Sequence, residues 1–133
     1  MAGSSAGYSG KPLFQKLGLK VGTSCLVVNA PAHYDSLVEG VEGVSFVDAG
    51  PADMVHLFCA DRTMLETMFQ SALADVAERG MFWVSWPKKS SKQFIDLTED
   101  GIRATILPTG WVDVKVCAVD QDWSALKFLR RKV

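Results

Sequence analysis

Three short stretches of this chain are apolar without alternating: Cys25-Leu26-Val27-Val28, Met54-Val55-His56-Leu57-Phe58-Cys59 and Met81-Phe82-Trp83-Val84-Ser85-Trp86. A strand with one face in water shows every second residue polar, so a run that is apolar at nearly every position belongs to a strand covered on both faces. Strands of that kind sit in parallel sheets sandwiched between helices, and parallel neighbours need crossover connections that carry those helices.

The segments between the runs supply them. From Arg62 to Arg79 the residues Leu65, Met68, Phe69, Ala72, Leu73, Val76 and Ala77 recur at three and four, which predicts a helix with Asp61 as its N-cap and Gly80 just beyond its end. Shorter helices are expected over Lys11 to Leu17, opened by Pro12 and stopped by Gly18, and over Ala32 to Val38. Another should run from a cap at Asp96 or Thr98 to Leu107, where Pro108 and Gly110 end it. Val44 to Val47 reads as a short second strand. If it is parallel it rises about 13 Å, and Ala49 to Asp53 must return that distance with a reach of at most about 17 Å; its direction is therefore left open. Val112, Val114, Val116 and Ala118 alternate with Asp113, Lys115 and Cys117, as in a strand near a sheet edge. Ser124 to Arg130 returns after the turn Asp120-Gln121-Asp122, and the basic tail Arg130-Arg131-Lys132 closes the chain. The expected fold is α/β, a three-layer Rossmann-like domain with a mostly parallel sheet and a C-terminal antiparallel hairpin. Strands near Cys25, Met54, Met81 and Val112 should be parallel neighbours, with Ser124 to Arg130 at or near the edge. Residues 1 to 9, small and polar, read as a flexible N-terminal segment, and residues 10 to 133 as a single domain.

A chain of 133 residues, 48% apolar, builds one core without a disulfide or metal staple. Its net charge of -1 argues against a dedicated nucleic-acid protein, and no apolar run reaches the length of a membrane span. With no signal-peptide pattern at the N-terminus, a cytoplasmic location is expected. Cys25, Cys59 and Cys117 are odd in number and embedded in apolar runs, so they read as reduced core thiols. His33 and His56 have no metal-ligand spacing around them, and no metal is expected. No nucleophile elbow is present either.

In an open parallel sheet, ligands bind beyond the carboxyl ends of the strands. That rule selects Asn29 after the first run, Asp61 after the second, Lys88, Lys89, Ser90 and Ser91 after the third, and Asp120 and Trp123 at the hairpin. Asp48 stands about 20 residues after the first strand, where a ribose-binding acid would be, but Asn29-Ala30-Pro31-Ala32 lacks the glycines of a dinucleotide loop, and Pro31 lacks an N–H. Charge is unevenly spread: nine acids and one base lie between Asp35 and Glu78, then four bases and no acid between Arg79 and Lys92. The lysine loop after Trp86 is therefore the expected place for a small anionic ligand, held by ammonium groups and a nearby helix N-terminus. The cofactor is unknown.

Four stretches carry a resemblance: Tyr8-Ser9-Gly10-Lys11-Pro12-Leu13, Val27-Val28-Asn29-Ala30-Pro31, Trp83-Val84-Ser85-Trp86-Pro87-Lys88-Lys89, and Asp113 to Asp120 with Trp123-Ser124. Together they resemble a bacterial family known only as domain of unknown function number three thousand and fifty-two, which implies no activity, cofactor or site residue. Asp53 to Leu57, the glycine-ended helix after it, the strand Phe82 to Trp86 and the terminal hairpin are similar in outline to the second half of class I methyltransferases. The glycine-rich adenosylmethionine loop of that class is missing here, as are the helix, strand and helix expected between Val47 and Asp53. Three readings follow: a small-anion-binding domain, a protein-interaction module that could pair with a second copy as a homodimer, and a degenerate methyltransferase.

Overall fold

The structure is a computed structural model that describes residues 11 to 132, so the segment 1 to 9 lies outside it. One six-stranded sheet organises the chain: β1 (Ser24–Val28), β2 (Ser45–Phe46), β3 (Ala52–Phe58), β4 (Val76–Pro87), β5 (Trp111–Ala118) and β6 (Trp123–Arg130), in the order β2-β1-β3-β4-β6-β5. The first four strands are parallel, and β6 runs antiparallel to both of its neighbours. Helices α1 (Leu13–Leu17) and α2 (Tyr34–Leu37) cover one side; α3 (Arg62–Ala74) and α4 (Glu99–Ile106) cover the other.

The non-alternating runs occupy the covered strands. On β3, Val55, Leu57 and Cys59 pack with Leu65 and Leu73 of α3 and Ile102 and Ile106 of α4, while Met54 and Phe58 face Leu17 of α1 and Tyr34 of α2. Burying side chains on both faces removes apolar area twice per strand, at about 25 cal/mol per Å².

Two expectations are corrected. First, β6, not β5, is the neighbour of β4: Phe82 pairs with Phe128 and Trp86 with Ser124, and β5 forms the edge. The reason is burial, because β6 carries Ala125, Leu126 and Phe128 fully buried on its two faces, whereas β5 exposes Val114, Lys115 and Val116. Second, α3 stops at Ala74 rather than Arg79, and Val76 to Arg79 belong to β4. Asp75 closes the helix, its carbonyl accepts from the Ala52 N–H at 2.9 Å, and Val76 pairs with Ala52. Gly80 is therefore no helix cap. It lies in an irregular stretch of β4 where a Cβ would stand 2.8 Å from the Asp53 carbonyl oxygen and 2.9 Å from that of Ala77. Of the two caps expected for α4, Asp96 or Thr98, it is Thr98 that accepts from the Gly101 N–H at 3.1 Å, while the Asp96 carboxylate accepts from the Arg62 N–H at the start of α3.

The open question about the second strand resolves simply. β2 is parallel to β1 but pairs only at its beginning, Ser24 with Ser45 and Cys25 with Phe46, so the return to Ala52 is short. Arg130, expected as part of a basic tail, is tied into the fold. Its guanidinium donates to the carbonyls of Ala77 and Val76, each at 3.1 Å, and lies 4.6 Å from the Trp111 ring centre. It thereby satisfies backbone acceptors that the irregular part of β4 leaves out of the ladder.

Candidate functional site

The carboxyl ends of β1, β3 and β4 and the start of β6 converge at one end of the sheet, and the sequence-selected residues separate there into four groups. Asn29 and Asp61 serve the scaffold. Asn29 leaves β1 at φ 60 and turns its amide toward α3, donating to the Phe58 carbonyl at 3.3 Å and contacting the Met68 sulfur at 3.0 Å. The Asp61 carboxylate accepts from the Met64 N–H at 2.9 Å and caps α3.

Asp120 and Trp123 form the second group. The Asp120 carboxylate accepts from the N–H groups of Asp122 and Trp123, both at 2.8 Å, and takes a 2.9 Å contact from His33 Nε2. Burial raises the Asp120 pKa, but the hydrogen bonds from His33 and the two backbone donors outweigh it and hold the carboxyl below the usual range. This contact ties the loop after β1 to the hairpin turn, 87 positions apart, and no sequence signal singles out His33. Trp123 is buried edge-on against Phe58, at 5.3 Å between ring centres.

The third group is the lysine loop. Lys88 and Lys89 border a cleft of about 400 Å³ whose other walls are Trp86, Thr98, Glu99, Asp100 and Ser124. Lys88 is placed by the hydrogen bond from its N–H to the Asp122 carbonyl, 2.8 Å, and the loop is closed by the Ser91 N–H bonding to the Lys88 carbonyl, 2.9 Å. The two acids at the mouth are already engaged: Arg103 pairs with Glu99, with Asp100 at 3.3 Å, and with Asp113 at 2.7 Å. Its hydrogen bonds to Asp113 and Glu99 push the Arg103 pKa further up. No ion pair to Lys88 or Lys89 occurs among the described residues. Ser90 and Ser91 do not join them. They line a separate recess of about 510 Å³ with Lys92, Gln93, Gln121 and Asp122, where the Ser91 hydroxyl donates to Asp122 at 2.9 Å.

Asp48 belongs to a fourth place, a cavity of about 360 Å³ between β1, β2 and α2, with Ala30, Pro31, Ala32, Tyr34, Asp35 and Phe46 among its lining. The structure thus brings the loop after β1 and the acid after β2 to one pocket. The Tyr34 hydroxyl there is buried without an oxygen or nitrogen hydrogen-bond partner among the described residues. Among the described residues no cluster of His, Cys, Asp and Glu is placed to hold a metal ion, and no helix is long and apolar enough to cross a membrane.

The architecture is that of class I methyltransferases. The chain is similar to an S-adenosylmethionine-dependent methyltransferase from Aquifex aeolicus, at 14% identity and TM-score 0.63 over 89% of this chain and 87% of that one. It is also similar to the N-methyltransferase NodS from Bradyrhizobium japonicum, at 13% identity and TM-score 0.57 over 90% and 92% of the two chains. A third likeness is to the 1,6-didemethyltoxoflavin N1-methyltransferase of Burkholderia thailandensis, solved with 1,6-didemethyltoxoflavin and S-adenosylhomocysteine, at 12% identity and TM-score 0.56 over 90% and 75%. These likenesses define the fold. No protein-family model matches the chain and no curated protein matches it in sequence.

The loop that would cradle adenosylmethionine does not fit it well. Asn29-Ala30-Pro31-Ala32 has side chains where close backbone approach needs glycine, Pro31 offers no N–H, and the Asn29 amide is committed to α3.

Proposed function

We propose that this chain is a methyltransferase-fold binding domain without the cofactor cradle, and that it holds a small anionic ligand in the cleft bordered by Lys88 and Lys89. The observation that carries the reading is the cleft itself: two lysines with no ion-pair partner among the described residues border a concavity at the carboxyl end of β4, beside the N-terminal turn of α4. Lys88 is half-buried and Lys89 exposed; a partly desolvated ammonium makes charge-assisted hydrogen bonds of about 1.5 to 3 kcal/mol, against about 0 to 1 kcal/mol for exposed pairs. The reading extends to the family resemblance, because Trp86, Lys88 and Lys89 from one of its stretches and Ser124 from another meet in this cleft.

A thermal-shift screen of small phosphates and carboxylates tests it. Lys88→Ala with Lys89→Ala should abolish the ligand-induced shift and leave the unliganded midpoint nearly unchanged; an undiminished shift in the double variant would remove the cleft from consideration. The pocket that unites Ala30, Pro31, Ala32 and Asp48 supports the second reading, a degenerate methyltransferase. Calorimetric titration with adenosylmethionine separates the two. No saturable heat is expected, and micromolar binding lost on Asp48→Ala would favour the second.

A further inference from the structure

The opposite side of the sheet from the Lys88 cleft presents a second group of ammonium side chains. Register sets their positions: along one row, His56 of β3 pairs with Trp83 of β4, Trp83 with Lys127 of β6, and Lys127 with Lys115 of β5. Directly paired residues project to the same face, so the two lysines stand side by side on the face that α1 covers. Helix α1 brings Lys16 to the same place, where its charge, like that of Lys115, acts on the Cys117 thiol. The Lys115 ammonium donates to the Lys16 carbonyl at 3.1 Å, which fixes it at the end of α1 and next to Lys16.

Like charges directly opposed across a ladder are destabilising. Long lysine side chains ordinarily relieve this by spreading into water, but Lys127 is half-buried, and Lys115 is tethered. Among the described residues no carboxylate forms an ion pair with Lys16, Lys115 or Lys127. The cluster is therefore a concentration of positive charge that the described residues do not neutralise, on a face where the next row along β5 and β6 is Cys117 beside Ala125.

We propose that Lys16, Lys115 and Lys127 form a phosphate-binding site, distinct from the Lys88 cleft and separated from it by the sheet. A phosphate dianion matches the arrangement better than a carboxylate does, since ammonium groups act as point charges and the ladder sets Lys127 directly beside Lys115. Lys127 is the residue on which the site turns. Lys115 also braces α1, whereas the Lys127 side chain lies beside Lys115 and is committed to no carboxylate among the described residues.

Cys117 provides a local reporter. Cys25 and Cys59 are fully buried, and burial pushes both thiols up to about 12, so neither reacts in the native protein. Cys117 is half-buried; burial raises its pKa as well, while Lys115 and Lys16 pull it down. A bound dianion cancels that pull, lowering the thiolate fraction and covering the sulfur. Alkylation of Cys117 by neutral iodoacetamide should therefore slow saturably, roughly threefold to tenfold, on adding inorganic phosphate or glycerol phosphate, compared with chloride at the same ionic strength. Protection by the ester alone would assign the site to phosphate monoesters, and protection by both to the phosphate group itself. Lys127→Met should remove the protection and melt no lower than the parent without phosphate. Lys88→Ala with Lys89→Ala should keep the protection in full, which distinguishes this site from the cleft. Slowing by neither inorganic phosphate nor glycerol phosphate beyond that of chloride in the parent overturns the proposal; so does protection that survives Lys127→Met, or that disappears with the Lys88 and Lys89 substitutions.

Discussion

The two sides of the sheet are built from different materials. Under α3 and α4 the core consists of Val55, Leu57, Leu65, Phe82, Val84, Ile102, Ile106, Leu126 and Phe128. Under α1 and α2 it includes His56 and Ser85, both fully buried, the Trp83 indole, and the Tyr34 hydroxyl. One side works by close packing alone, and the other carries polar groups that must find partners or cost stability. The candidate ligand groups do not follow that division: the Lys88 cleft opens beside α4, and the Lys127 cluster lies on the α1 side.

The contrast can be broken most forcefully from the apolar side. Phe82 is fully buried between Trp111, 6.1 Å away between ring centres, and Phe128, at 6.3 Å. Phe82→Ala should cost about 3 to 5 kcal/mol in a denaturant titration, because transfer and cavity terms add. A loss below about 1 kcal/mol would show that this side is not closely packed.

The polar side should reveal itself through pH. Burial pushes His56 from 6.5 down to about 3, and its Nε2 lies 2.6 Å from the Ser85 hydroxyl while Nδ1 has no partner among the described residues. The folded state thus holds the neutral ring, and between these two values the unfolded chain binds the extra proton. Stability from this residue is complete above pH 6.5 and falls as pH drops toward 3, by at most about 1.4 kcal/mol per pH unit. Replacing the pair together, His56→Leu with Ser85→Ala, should flatten the urea midpoint over that window. An unchanged acid slope would mean that other groups set it.

The smallest effect belongs to Tyr34. Its hydroxyl is desolvated, with at most a weak contact to the Cys25 thiol among the described residues, and burial, with that thiol, pushes its pKa up. Tyr34→Phe should be neutral or stabilising by less than about 1 kcal/mol in thermal melts, since only a poorly satisfied group is removed. A loss above that would reveal a partner for the oxygen and narrow the difference between the two sides.

Much of the fold is legible because burial on both faces of a strand is written into composition. The runs at Cys25, Met54 and Met81 identify the covered strands, and the alternation of Val112 to Ala118 is consistent with an edge. The place of β6 is not read from the pattern, although Ala125, Leu126 and Phe128 break alternation in the way a covered strand should. The end of α3 is misplaced because Val76 and Ala77 continue a helical spacing by coincidence, while pairing with Ala52 decides their conformation. Of the site, Lys88 and Lys89 follow from chain position after a central strand. Their separation from Ser90 and Ser91, the pairing of His33 with Asp120 and the row that joins Lys127 to Lys115 depend on contacts between distant segments, which no local pattern encodes.

One hydrogen bond reaches beyond its own neighbourhood. The Trp83 indole N–H, fully buried at the centre of the sheet, donates to the Leu17 carbonyl at 2.9 Å. A helix of five residues has no cooperative stability of its own. Peeling α1 away would strand that donor in the interior and uncover Leu17, so the helix is bound into the same unfolding unit as the central strands. Its amides should then exchange with solvent hydrogen through the larger openings of the core rather than by local fraying, and Lys16 keeps its position for as long as the core stays closed.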